Sequence, residues 1–308
     1  MSALQPRVDE YLAIRRSLGY KLAGHGTVLL EFVGWLDDRS ATVITADLAL
    51  AWAQSRPTSS PVRERQRLTT VRRFAEYMQA IDPRTELPAK DLLPAAQQRT
   101  APYIYSAAEI SELMAAAKRL SPPLKAATYE TFIGLLACTG LRFGEAAGLD
   151  RTDVDMASGS LLVRFGKNGR SRQVPIHPTT VAALATYAAR RDRLCPEPKS
   201  AAFFVTTRGG RLPDSSVQTV FARLRHQTGL DGRGRSRRPR LHDLRHTFVV
   251  RTMLNWYRNG VDVQARLPLL STYLGHVDPK ATYWYQEAAP ELLALAARRL
   301  EVSPAREP

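Results

Sequence analysis

The chain concentrates its chemistry between Leu241 and Tyr285. That stretch opens on Leu241-His242-Asp243-Leu244-Arg245-His246-Thr247-Phe248, reaches Leu274-Gly275-His276, and carries a tyrosine, Tyr285, nine residues further on. His242 and Arg245 stand three residues apart, so a helix would place both on one face, where an imidazole and a guanidinium can meet a single anion. Asp278 followed by Pro279 reads as an N-cap with proline at the first helical position, which predicts a short helix carrying Tyr285 about two turns in. Tyr283 and Tyr285 differ by roughly 200° around such a helix, so only one of them can share a site with His276; the spacing favours neither. The cluster holds no paired carboxylates for a divalent metal. It reads as metal-free phosphate chemistry, with arginine and histidine stabilising charge and a tyrosine available as covalent nucleophile.

Several elements must position these groups. From Pro6 to about Ile81 the pattern is helical: Val8, Tyr11, Leu12, Ile14 and Leu18 recur at helical intervals, as do Leu29, Leu30, Phe32, Val33 and Leu36. Thr45 to Gln54 makes a third helix. A fourth, from about Pro61 to Ile81, carries Leu68, Val71, Phe74, Ala75 and Met78 on one face and Arg63, Arg65, Arg67, Arg72 and Arg73 elsewhere. Residues 1–82 are therefore a small four-helix domain with one basic helix, whose arginines a solvated face alone would explain. Residues 83–102, punctuated by Pro83, Pro88, Pro94 and Pro102, read as a linker.

Beyond it, Ser106 three residues before Glu109 predicts a capping box and a helix to Leu120. A second helix from about Leu124 leads into Thr139-Gly140-Leu141-Arg142-Phe143-Gly144-Glu145, where Arg142 reads as a helix-start arginine paired with Glu145. The period then shifts to strands: Leu161 to Phe165, a tip of Gly166-Lys167-Asn168-Gly169-Arg170, and a return over Gln173 to Ile176. Helical pattern resumes over Thr179 to Arg193 and Ser215 to Thr228. Arg233, Arg235, Arg237, Arg238 and Arg240 then make a basic loop directly before His242, and Pro268 interrupts the pattern from Val263 to Tyr273. Pro290 to Leu300 forms an amphipathic helix whose stripe of Leu292, Leu293, Leu295 and Leu300 must dock on its own domain or on a neighbour.

Composition bounds the partners. The 308 residues suffice for two domains, and 44% hydrophobic content supports a real core. No apolar run approaches the ~20 residues needed to cross a bilayer, and Asp9, Glu10, Arg15 and Arg16 stand where a signal peptide would be apolar. These features predict a cytoplasmic protein. Two cysteines, Cys138 and Cys195, are too few for a disulfide framework or a Cys-type zinc site. A net charge of +15 calls for a polyanionic partner, a requirement an anionic membrane surface would also meet. Residues 1–102 hold 14 Lys+Arg against 11 Asp+Glu, and residues 103–308 hold 30 against 18, so the C-terminal part dominates the field. Arginine outnumbers lysine 37 to 7, which suits bidentate phosphate contact and is equally produced by a GC-rich genome.

The ordered set resembles the signature of the tyrosine recombinases, the phage integrase family: a His-x-x-Arg box, a Leu-Gly-His box and a tyrosine nine residues after that histidine. That spacing selects Tyr285 over Tyr283. Thr139 to Glu145 is similar to the family's first arginine box, and Gly166-Lys167 to the Gly-Lys of its hairpin. The resemblance covers nearly the whole chain and implies a mainly α fold with a small β-hairpin sheet (α+β). It implies an N-terminal four-helix SAM-like core-binding domain over 1–82 and a catalytic domain over 103–308, with a C-terminal exchange helix at about 290–300.

The implied activity is site-specific DNA recombination through a 3′-phosphotyrosine, without metal, cofactor or ATP, in a mobile element. Tyr285 would be the nucleophile, Arg142 and Arg245 would hold the non-bridging oxygens, His242 would assist proton transfer, Lys167 would protonate the leaving oxygen and His276 would donate to the phosphate. Arg63, Arg65, Arg67, Arg72 and Arg73 would contact DNA, as would Arg170, Arg172, Arg233, Arg235, Arg237, Arg238 and Arg240. The implied partners are double-stranded DNA and three further copies in a tetramer on paired sites, formed from a monomer in free solution, with companion recombinases as further candidates and no membrane. Type IB topoisomerase-like relaxation and a non-catalytic DNA-binding accessory role are the alternatives. No extra N-terminal domain for arm-type sites is expected.

Overall fold

The computed structural model describes residues 4–20, 22–56, 60–94, 102–164, 171–231 and 238–275. The chain divides into two compact units, Met1–Thr100 and Ala101–Pro308.

The first unit is built from four helices, α1 (Gln5–Ser17), α2 (Ala23–Asp37), α3 (Ala46–Gln54) and α4 (Pro61–Gln79). Their starts follow from side chains that satisfy orphan amides: the Thr45 hydroxyl accepts from the Leu48 amide at 3.2 Å, and Ser60 caps α4 ahead of Pro61. Val8, Phe32, Leu36, Trp52, Val71 and Phe74 close a single core. Ile14 and Leu18, which the periodicity places with that core, are exposed on the last turn of α1 and just beyond it. The expected linker is anchored over its first half: Thr85 and Leu93 are buried, the Glu86 amide donates to the Ile44 carbonyl at 2.8 Å, and Glu86 Oε2 accepts from the Ala46 amide at 2.8 Å. The prolines there keep the chain extended, and Leu93 still reaches apolar surface.

The second unit holds α5 (Ala107–Lys118), α6 (Pro123–Thr139), α7 (Phe143–Gly148), strands β1 (Val154–Asp155), β2 (Ser160–Val163) and β3 (Arg172–Pro175), then α8 (Pro178–Leu194), α9 (Asp214–Gln227), α10 (Asp243–Arg258) and α11 (Val263–Leu274). The architecture is mainly helical with one three-stranded antiparallel sheet, as expected. The capping box forms: the Glu109 amide donates to Ser106 Oγ at 3.1 Å and the Ser106 amide to Glu109 Oε2 at 2.8 Å. Helix α6 is apolar on nearly all sides because it is the central post, packed on α5, α8 and α10. The strands pair Leu161 with Val174 and Val163 with Arg172. Both strands begin one residue earlier than the alternation predicts, and the expected tip at 166–170 lies outside the described residues.

Pro268 does not interrupt its segment. Helix α11 runs through it from an Asp262 cap to Gly275, losing one intrahelical hydrogen bond while Val263, Leu267, Leu270 and Leu274 stay buried against α10. That buried face offsets the lost bond. No helix among the described residues is long and apolar enough to cross a membrane.

The junction of α6 and α10 admits only glycine. Gly140 ends α6 at φ +63, and a β-carbon there would lie 2.5 Å from Cδ1 of Phe248. Gly140→Ala should therefore cost at least about 2 kcal/mol, from the left-handed backbone and the clash together. Urea unfolding of Gly140→Ala alone and combined with Phe248→Ala checks this: removing the ring should recover the steric part of the loss and leave the backbone part.

Candidate active site

Three guanidinium groups from separate elements meet the carboxyl end of α11. Arg245, in the first turn of α10 and 2% exposed, donates from Nη1 to the Gly140 carbonyl at 2.8 Å and from Nη2 to the Leu274 carbonyl at 2.9 Å. Arg142, at the start of α7, donates from Nη2 to the Gly275 carbonyl at 3.2 Å. Arg172, on β3, donates from Nε to the Tyr273 carbonyl at 2.8 Å. The carbonyls that end a helix lack intrahelical partners and carry the negative end of its dipole, so cations gather there. Gly275 closes α11 at φ +66 with Arg172 against it: a β-carbon would lie 2.7 Å from Nη1. His276 follows directly in sequence.

Glu145 ties two of these three cations together, Arg142 and Arg172. Its Oε1 accepts from Arg142 Nη1 at 2.7 Å and Arg172 Nη1 at 3.1 Å, and its Oε2 accepts from Arg172 Nη2 and the Arg142 amide, each at 2.9 Å. Burial pushes the carboxyl pKa up, but the Arg172 hydrogen bonds, the Arg142 amide, the Arg172 charge and the Arg142 side-chain hydrogen bond outweigh it and hold the group below its ordinary range. Glu145 is thus ionised at neutral pH.

A buried carboxylate also organises the start of α10. Asp243 is fully buried; its Oδ2 accepts from the Arg240 amide at 2.7 Å, and its charge lies in the first turn, where the helix dipole favours it. One turn on, Thr247 Oγ1 donates to the Asp243 carbonyl at 2.8 Å and accepts from the Tyr105 amide at 2.9 Å. The Tyr105 hydroxyl reaches back to the Arg240 carbonyl at 3.0 Å. With Leu241 and Leu244 in the core, the backbone of this box is fixed on both sides.

His242 is exposed at the N-terminus of α10, its ring edge-on to His246 at 4.8 Å between centroids. Its pKa is lowered from 6.5, first by desolvation against the surrounding protein and next by the Arg245 charge; Arg240 and Arg142 add to this, and Asp243 opposes it. His242, Arg142 and Arg245 therefore share one electrostatic neighbourhood. The arrangement can bind an anion between cations and present a neutral imidazole to it.

The structure distributes the remaining predicted residues unevenly. Lys167, Arg170, Arg233, Arg235, Arg237, His276, Tyr283, Tyr285 and the helix expected at 290–300 lie outside the described residues. Arg238 and Arg240 are exposed, Arg240 with Nη2 3.4 Å from Asp243. In the first unit Arg63 and Arg73 are exposed and, with Arg56, Arg65 and Arg67, line a groove of about 830 Å³. Arg67 is in part a packing residue, its guanidinium 3.9 Å from the centre of the Trp52 ring and donating to the Ala53 carbonyl. Arg72 pairs with Glu76 at 2.9 Å. Arg172, expected as a DNA-backbone contact, turns inward and donates from all three nitrogens to protein acceptors.

Sequence reasoning named Arg172 only as a DNA contact, passed over Asp243 and gave Glu145 only its pairing with Arg142. Only Glu145 left a signal, three residues after Arg142. Among the described residues, no group of three or more His, Cys, Asp or Glu side chains could hold a metal ion.

Known proteins resemble this chain along most of its length. The model of the phage integrase family matches residues 105–291. A putative integrase/recombinase, y4rB, of Sinorhizobium fredii is 41% identical over 307 residues, 98% of each chain. Among solved structures, the Tn1549 transposon integrase in complex with transposon right end DNA superposes with a TM-score of 0.68 at 16% identity, over 97% of this chain and 99% of that one. A lambda integrase dimer bound to a COC′ core site gives 0.61 at 19% identity, over 90% and 96%. Those two likenesses are ones of fold, and the relative and the family model carry the kinship. The chain belongs to the phage integrase family, the tyrosine recombinases, which are DNA strand-transferring enzymes.

Proposed function

We propose that the protein is a site-specific recombinase of a mobile element that cuts and rejoins double-stranded DNA through a 3′-phosphotyrosine. The observation that carries this reading is the meeting of Arg142 and Arg245 on the α11 carbonyls, one residue before His276. In the reaction, the Tyr285 oxygen bonds to phosphorus and the bond to the 5′-oxygen breaks. The ester conserves the energy of the broken bond, so neither ATP nor a metal is required. Arg142 and Arg245 hold the non-bridging oxygens, and His276 donates to the phosphate. His242 takes the phenol proton, a task its lowered pKa suits, and Lys167 returns a proton to the leaving oxygen. Rejoining reverses these steps with a 5′-hydroxyl from a second duplex.

The four-helix unit acts in this reading as the core-binding domain over residues 1–82, joined to the catalytic domain at 103–308 by 83–102. Arg63 and Arg73 offer its exposed phosphate contacts, and Arg238 and Arg240 those beside the site. The protein works in the cytoplasm, free as a monomer and as a cyclic tetramer on paired sites. The post-tyrosine segment passes between protomers. Structures of a lambda integrase tetramer on a Holliday junction and of the transposon integrase on DNA support the assembly and the element.

The nucleophile is tested on a nicked suicide duplex. Tyr285→Phe should bind DNA and form no covalent adduct, whereas Tyr283→Phe should still form it; an adduct peptide modified at Tyr283 would overturn the assignment. A wild-type protein that relaxes one plasmid without transferring strands between two duplexes would be topoisomerase-like instead.

DNA affinity should fall steeply with salt, by roughly 10³ or more between 50 and 200 mM if at least six phosphates are neutralised. Fluorescence anisotropy across that range measures the slope.

His242 gives a pH signature. Because its folded pKa lies below 6.5, the folded state disfavours the imidazolium; the stability this contributes is present above 6.5 and is lost as pH falls through the lowered value. Histidine NMR titration should place His242 below 6.5, and His242→Asn should flatten the acid limb of stability against pH.

A further inference from the structure

We propose that Arg172 is a positioning residue of the phosphate site, limiting the Arg142 side chain to one oxygen of Glu145 and fixing the carboxyl end of α11, and that it makes no contact with DNA. The inference rests on the phosphotransfer reading above. A carboxylate has two oxygens, and the Arg172 fork covers both, at 3.1 and 2.9 Å, while the Arg142 side chain reaches only one, at 2.7 Å. Glu145 has 7% of its side chain exposed and cannot turn to water for relief. Without Arg172 its second oxygen, which the Arg142 amide also holds at 2.9 Å, would be open to a second bond from the Arg142 side chain, which is 25% exposed and whose Nη2 is only 3.2 Å from the Gly275 carbonyl. A bidentate Arg142–Glu145 pair would take that guanidinium out of the phosphate position.

The second half of the role is mechanical. Arg172 pairs with Val163 in the sheet, so its backbone is set by β2, while its Nε binds the Tyr273 carbonyl at 2.8 Å. The sheet thereby fixes the last turn of α11, whose Leu274 and Gly275 carbonyls hold Arg245 and Arg142. Gly275 lacks a side chain where the Arg172 guanidinium lies, with 2.7 Å left for any β-carbon. Only 14% of the Arg172 side chain is exposed, so a DNA phosphate would have to displace these partners to reach it.

The test compares Arg172→Gln, Arg172→Lys and Arg172→Gln/Glu145→Gln with wild type on the duplex that wild type selects from a random library. Each is read by the salt slope of binding, the single-turnover rate of adduct formation at saturating protein, and circular dichroism for folding. For a positioning residue the salt slope stays at the wild-type value while the adduct rate falls by roughly 10²-fold, the scale of a misplacement of about 1 Å. Lysine should not rescue, because it lacks the fork, and neutralising Glu145 should restore part of the rate, which a merely structural loss would not do. A phosphate contact predicts the reverse: a slope smaller by about 0.9, rescue by lysine and no benefit from Glu145→Gln. That pattern would overturn the proposal. If wild type itself makes no adduct, the recombinase reading fails, and the salt slope alone still decides whether Arg172 touches DNA.

Discussion

The site depends on the end of one helix. The carbonyls of Tyr273, Leu274 and Gly275 are the orphan acceptors of α11, and each is taken by a different arginine, from β3, α10 and α7. Three like charges at this distance would repel in a partly dry pocket if nothing stood between them. The helix terminus supplies partial negative charge and fixed geometry, and Glu145 supplies a full charge. The cations are thus held by acceptors that keep their place when a ligand leaves.

Close approach is what allows this convergence. Arg245 and Phe248 are one turn apart on α10 and grip Gly140 between them, one through its carbonyl and the other across the space a β-carbon would fill. Gly275 does the same for Arg172. The two glycines of the Thr-Gly-Leu-Arg and Leu-Gly-His boxes are there for contact as much as for turning the chain. Each ends a helix in the left-handed region and each leaves room for a side chain, the Phe248 ring at Gly140 and the Arg172 guanidinium at Gly275.

Much of this was legible in the sequence, and the boundary has a physical cause. The capping box at Ser106, the helix leading to Arg142 and the hairpin strands are local, so a window of a few residues contains their causes. The pairing of Arg172 with Glu145 spans 27 positions and that of Arg245 with Leu274 spans 29, and no periodicity encodes such partners. Arg172 and Arg170 look alike on paper, two arginines after a turn; the pleat of β3 sends Arg172 inward. Pro268 misled for a related reason, since local propensity predicts a break, and the buried face of α11 outweighs one missing hydrogen bond. Leu93 among the prolines is a third case, where an extended backbone concealed an anchoring side chain.

The charge count bears on what the site is built to hold. Arg142, Arg172 and Arg245 against Glu145 leave two positive charges in excess, with His242 neutral beside them above its lowered pKa. In the proposed reaction a phosphodiester brings one negative charge, and a second develops on the pentacoordinate phosphorus as the phenolate oxygen attaches. Among the described residues the excess therefore equals the charge of the proposed transition state rather than that of the bound substrate, and the proposed Lys167 general acid would add its own charge. An ionised Glu145 is necessary to this balance. Without its charge the pocket would hold three uncompensated cations, binding the ground-state phosphate more tightly and spending interaction energy where it does not accelerate the chemistry. A carboxylate at the heart of an anion site, at first sight a contradiction, keeps the field set to the charge that forms during reaction.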